Sequence, residues 1–113
     1  MMEYKENLEK LSEQAEIFKA LAHPTRIFIV KRLLKQEHCV NELTKMIGVE
    51  MPTISKHLSV LKNTGIIASR KESNNVFYRI KHECVKNTLD CADKIKTKRS
   101  TIIKGVKFFI IQL

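Results

Sequence analysis

The 113-residue chain is short of structure breakers, with three glycines and two prolines. So few leave no room for a low-complexity linker, and without internal repeats the chain reads as one helix-rich unit. No apolar run approaches the ~20 residues that cross a bilayer, and no basic segment followed by an apolar one opens the chain. A cytoplasmic protein without a membrane partner is the expectation. Cysteine is scarce and odd in number, three in all, which argues against a disulfide framework and for reduced thiols. Gly-rich phosphate loops, metalloprotease histidine pairs and paired-carboxylate sites are missing too. His38 and Cys39, the best base and nucleophile on offer, are sequence neighbours and point apart on a helix. No enzyme is expected.

Acidic residues are also in the minority. Twelve Asp and Glu stand against 21 Lys and Arg, a formal charge of +9 and a pI near 9.6. Such a balance points to a polyanion, because each cation that neutralises a phosphate releases counterions. The excess is uneven: Lys5 and Lys10 face Glu3, Glu6, Glu9, Glu13 and Glu16 in the first eighteen residues. The polyanion is expected to meet the middle of the chain. With 43% apolar residues the chain has enough for one modest core.

Helical periodicity organises what is present. From Tyr4 to Ala22, Leu8, Leu11, Ala15, Phe18 and Leu21/Ala22 recur on one face, giving an amphipathic helix that needs a partner. His23-Pro24 interrupts it, and a second helix runs from about Pro24 to Leu34, because proline suits a first turn and the residue before it avoids helix. A short third helix, Cys39 to Ile47, turns Val40, Leu43, Met46 and Ile47 inward and ends at Gly48. The fourth begins at Pro52; Ile54, Leu58 and Leu61 share one face, with Thr53, Lys56, His57 and Asn63 away from it. Two helices joined by a short Gly-containing turn, the second polar on its outer face, form a helix-turn-helix pattern.

After Gly65, "IIASRKESNNVFYRI" offers two β-prone runs, Ile66–Lys71 and Val76–Ile80, around Glu72-Ser73-Asn74-Asn75. A hairpin there would be a wing able to lie along a minor groove, with Arg70, Lys71 and Arg79 toward phosphates. A last helix is expected from about His82 to Lys98. The fold class is therefore mainly α with a small β-hairpin, in the order α-α-α-α-β-β-α. Residues 1–98 would be the binding and dimerisation domain, and 99–113 a tail of uncertain structure. Thr101 to Leu113 is apolar but too short to span a membrane.

The segments "FKALAHPTRIFIVKRLL", "EHCVNELTKMIGV", "TISKHLSVLKNTGII" and "RKESNNVFYRI" together resemble the ArsR/SmtB family of winged-helix repressors. The likeness covers roughly residues 15–95 and is specific, since four segments appear in the family's order and spacing. It implies a homodimer built on the first and last helices, two recognition helices on a palindromic double-stranded DNA operator, and repression relieved by a metal ion or thiol chemistry. Exposed apolar faces on the terminal helices would favour a dimer independently, and two-fold symmetry asks for half-sites about one turn of DNA apart. Thr53, Ser55, Lys56 and His57 are the expected base-contacting residues, with Lys56 the best guanine reader. At the wing the family tends to carry Gly-Arg where this chain has Ser73-Asn74. Base reading by Asn74 should be weaker, while its capacity for left-handed geometry keeps the turn.

Cys39, Cys84 and Cys91 are the candidate effector ligands. Cys39 matches the first cysteine of the family's metal-sensing Cys-Val-Cys segment, with Asn41 where the second would be, and "CVKNTLDC" resembles the last-helix cysteine pair of some members. Thiolates suit As(III), Cd(II) or Pb(II); DNA binding itself needs no cofactor. The family's last-helix zinc site is not matched by His82, Glu83, Asp90 and Asp93. Cys84 and Cys91 on one intact helix would sit about 10.5 Å apart along its axis, too far to share an ion or form a bridge. Cys39 or a second subunit would then have to take part. Thiol oxidation of the same residues is the alternative switch.

Overall fold

The structure, a computed structural model, describes residues 3–102, with side chains as far as Ile95. Residues up to Glu83 form one compact unit, and a second begins at Cys84. In the first unit a 3-10 turn, Lys5–Asn7, leads into α1, Leu8–Leu21. Then come α2, Pro24–Lys35, the two-residue strand β1, His38–Cys39, and α3, Val40–Ile47. The unit closes with α4, Met51–Asn63, and the hairpin strands β2, Ile67–Glu72, and β3, Asn75–Ile80. The second unit carries α5, Val85–Ile102.

The boundaries have local causes. His23 is the N-cap of α2, its Nδ1 accepting the Thr25 N–H at 3.1 Å, while Pro24 fills the first turn, where an N–H has no partner to lose. Gly48 ends α3 at φ +81, its N–H donating to the Thr44 carbonyl at 2.8 Å. Gly65, at φ +83, ends α4. There the Ile66 N–H reaches back to the Leu61 carbonyl at 3.1 Å, the six-to-one bond of a Schellman cap. Only Gly48, Val49 and Glu50 separate α3 from α4, so the helix-turn-helix is tight.

One core holds the first unit. Ile29, Val30 and Leu33 of α2, Leu43 of α3 and Ile54, Leu58 and Leu61 of α4 are all buried, at the spacing that places them on single helix faces. Ile66 and Ile67 continue the core into the hairpin. The sheet is antiparallel in the order β1-β3-β2, with His38 opposite Tyr78 and Cys39 opposite Phe77. By contrast, α1 buries only Ala20 and Leu21, leaving Leu8, Leu11, Ile17 and Phe18 exposed, Phe18 by 61%.

Several expectations need correction. Cys39 caps α3 and pairs in β1 rather than opening the helix; the polar Lys35–His38 stretch hid a strand too short for a period to register. The last helix starts three residues later than expected and continues through the 98/99 boundary to Ile102. Residues 103–113 of the expected tail lie outside the described residues. At the wing tip, Ser73 rather than Asn74 takes left-handed geometry, at φ +56. An L side chain there costs about 1–2 kcal/mol, partly offset by the chain entropy that glycine loses on folding. Ser73→Gly should therefore raise the unfolding free energy by up to about 1 kcal/mol in urea titrations; destabilisation would contradict the assigned turn.

Candidate nucleic-acid interface

The apolar stripe of α4 decides what its other side can do. With Ile54, Leu58 and Leu61 anchored in the core, Thr53, Ser55 and Lys56 are exposed on the opposite face near the helix start. Three rigidly based polar side chains on one helical turn match what a major groove accepts, since an α-helix fits its width. Lys56 presents three donors on a flexible stem, and the two hydroxyls both donate and accept. The sequence pattern found these residues because burial on α4 follows its hydrophobic period.

His57 departs from that pattern. It is half-buried rather than outward, with Nδ1 3.1 Å from Arg26 Nη1 and its ring centroid 4.4 Å from that of His23. Burial first, then the nearness of His23 and Arg26, hold its pKa below the ordinary histidine value. Its expected place among the outward-facing side chains is corrected: between α2 and α4, the ring supports the recognition helix. The contact joins residues 31 apart in sequence, beyond the reach of any local signal.

On the wing, Lys71, Asn74 and Arg79 are exposed. Arg70 is more constrained. Its Nε and Nη2 donate to Glu37 Oε1 at 3.1 and 2.8 Å, and Nη1 donates to Glu72. The guanidinium also lies over the Phe77 ring, 4.9 Å from its centroid. The bonds to Glu72 and then Glu37 raise its pKa further above an already high value. Nearly half exposed, these pairs are screened by solvent and hold the guanidinium only weakly.

The three cysteines are free thiols, Cys39 half-buried and Cys84 and Cys91 exposed. Cys39 occupies the N-cap of α3 in a reciprocal box, its side chain facing the Glu42 N–H while Glu42 Oε1 accepts the Cys39 N–H at 2.9 Å. That backbone bond is the main reason the Glu42 carboxyl titrates below its usual range. His38 beside it is the buried polar residue of the described chain, its Nδ1 3.6 Å from Glu42 Oε1. Cys84 lies in the turn before α5, its carbonyl accepting the Asn87 N–H at 3.1 Å. Cys84 thus immediately precedes α5, and the residues between it and Cys91 are all helical, so the expected separation along the axis is little changed. Among the described residues no three His, Cys, Asp or Glu side chains gather where they could hold a metal.

A helix-turn-helix with a polar outer face, followed at once by a β-hairpin, defines a winged helix-turn-helix DNA-binding protein. Comparison with known proteins narrows the class. The sequence profile described as "Bacterial regulatory protein, arsR family" matches residues 23–69. The chain is 39% identical over 77 residues to the biofilm growth-associated repressor of Xylella fastidiosa, spanning 67% of this chain and 68% of that one. It is also 39% identical over 89 residues to an uncharacterized HTH-type transcriptional regulator of Methanocaldococcus jannaschii, covering 78% of this chain and all of the relative. The crystal structure of Rv0081 from M. tuberculosis superposes with a TM-score of 0.72 at 35% identity, covering 83% of this chain and 93% of the other. The homodimeric winged helix-turn-helix DNA-binding domain Mb0332 of Mycobacterium bovis gives 0.72 at 27% identity, over 88% and 90% of the two chains. The chain belongs to the ArsR family of transcriptional regulators.

Because Glu42 titrates low in the fold, its contribution to stability is present above the unfolded pKa of about 4.3 and is lost as pH falls through the lower folded value. Urea titrations across the acid range should show a shallower loss for Glu42→Gln than for the wild type; an unchanged acid limb would remove Glu42 from that role.

Proposed function

We propose that the chain is a homodimeric repressor that binds a palindromic double-stranded DNA operator, reading successive major grooves with two copies of α4. The observation that carries this reading is the division of α4 into a buried stripe and an exposed Thr53, Ser55, Lys56 face. Lys56 is the guanine reader, while Thr53 and Ser55 fix the register. Lys71 and Arg70 of the wing add phosphate contacts, Arg70 by exchanging its carboxylate partners, and Asn74 sits at the tip toward the minor groove. Dimerisation is supported by the open apolar face of α1, where Leu8, Leu11 and Phe18 are exposed, a run of side chains that burial in a partner would stabilise.

Release from DNA is assigned to the thiols. Cys39, Cys84 and Cys91 are free, and sulfur donors suit As(III), Cd(II) or Pb(II) in preference to hard cations. Ligands drawn from more than one subunit would couple ion binding to the dimer geometry that fits two grooves. A second reading, a switch by thiol oxidation, rests on the same three free thiols. Residues 85–90 between Cys84 and Cys91 are all helical, so the two remain too far apart to bridge each other and Cys39 or a second subunit would take part.

Fluorescence anisotropy on DNA from the gene's own upstream region, at fixed salt and under reductant, tests the reading. The wild type should bind saturably and be released by near-stoichiometric arsenite, cadmium or lead. Specific binding indifferent to all three transfers the assignment to thiol oxidation, and no binding overturns the repressor reading for that DNA. Lys56→Ala should lower discrimination between operator and random DNA by about 1–3 kcal/mol; undiminished discrimination would show that Lys56 reads no base.

A further inference from the structure

We propose that Arg26 is a positioning residue for DNA binding: through His57 it ties α4 to the backbone at the C-terminal end of α1, so the angle of the recognition helix follows α1. The inference rests on the reading of α4 as the DNA-contacting helix. Arg26 stands in the first turn of α2, and its guanidinium uses all three nitrogens. Nε donates to the Ala20 carbonyl at 2.6 Å, Nη2 to the Lys19 carbonyl at 3.3 Å, and Nη1 reaches His57 Nδ1 at 3.1 Å.

The two carbonyls belong to the last turn of α1, where the Lys19 carbonyl also accepts the Ala22 N–H at 3.2 Å and helix geometry leaves acceptor capacity to be filled. A cation there also meets the negative end of the helix dipole. The third bond crosses to another element, joining positions 26 and 57. A guanidinium has no acceptor, so His57 Nδ1 must be the unprotonated nitrogen and its neutral ring carries the proton on Nε2. His23 is constrained likewise, its Nδ1 accepting the Thr25 N–H at 3.1 Å.

Coupling follows from which parts are anchored and which are open. The outer apolar face of α1 is exposed, so a second copy seated on it acts directly on the position of α1. Arg26 passes that placement to α4 through a planar fork whose three bonds fix both distance and direction, which a lysine ammonium cannot reproduce. The latch also has a state in which it opens. A proton on His57 Nδ1 converts the acceptor to a donor facing Arg26, and the contact becomes a repulsion. The titratable and charged groups facing His57 are His23 and Arg26 from α2. On the α1 side the cluster meets the Lys19 and Ala20 carbonyls, the Lys19 ammonium being paired with Glu16 at 3.5 Å. Burial and both α2 neighbours lower the His57 pKa, so the latch is closed at neutral pH and opens on the acid side.

The test uses the full chain with upstream DNA at fixed salt. Arg26→Lys and His57→Ala should each weaken specific binding roughly tenfold at neutral pH, the scale of one lost charge-assisted hydrogen bond. His57→Asn places an amide oxygen near the Nδ1 position and should recover most of what His57→Ala loses. It should also flatten the acid-side loss of binding seen in the wild type, since an amide does not titrate. Binding by Arg26→Lys equal to the wild type would overturn the latch, as would a wild-type pH profile in His57→Asn. A base-reading His57 would be indifferent to Arg26→Lys, which separates the two roles. Long-range proton–nitrogen NMR of the free protein decides independently of DNA: Nδ1 should be the unprotonated nitrogen of His57, and an Nδ1–H tautomer would refute the contact. Failure of the wild type to bind DNA would count against the reading of α4, while the tautomer would still decide the latch.

Discussion

The burial of three side chains, Ile54, Leu58 and Leu61, is the constraint on which the rest of the first unit depends. A helix of 13 residues is marginal by itself in water, and its stability comes from the apolar face it buries. That burial fixes the rotation of α4 about its axis and so decides which residues face outward. Each Leu or Ile lost from such a core costs about 2–5 kcal/mol, a large share of a small domain's stability. The exposed Thr53, Ser55 and Lys56 therefore stand on a helix anchored by its buried face, with side-chain freedom kept at the tips of Lys56 and the hydroxyls.

Charge is arranged around this rigid element in graded fashion. Lys56 and Lys71 stand exposed, whereas Arg70 is engaged by Glu37 and Glu72 and shielded on one face by Phe77. A basic excess of +9 favours polyanions in general, while one wing cation is held against two carboxylates. Arg26 is engaged differently, with helix carbonyls and a neutral histidine as its partners. Arg70 is held by carboxylates at the surface, whereas Arg26 is taken up by contacts within the fold.

How much was legible in the sequence follows the range of the interactions. The fourth helix was readable because its burial repeats every three to four residues and proline and glycine mark its ends. The hairpin was readable from its β-prone runs, although Ser73 takes the strained position that the more tolerant Asn74 was expected to fill. β1 escaped because two residues carry no period; only pairing with Tyr78 and Phe77 makes them a strand. His38, in the same strand, is buried, which no local pattern signals. Arg26 and His57 are too far apart in sequence for any local pattern to join them, and thiol placement around Cys84 turned on a helix start three residues later than periodicity suggested.

Backbone amide NMR during titration with operator DNA addresses the central claim most directly. If the outer face of α4 reads the duplex, the largest shifts fall on Thr53, Ser55 and Lys56, with smaller ones on Lys71 and Asn74, while Leu43 in α3 and the exposed α1 residues Leu8 and Leu11 stay nearly fixed. Large shifts centred on α1 or α3 with α4 unmoved would contradict the account.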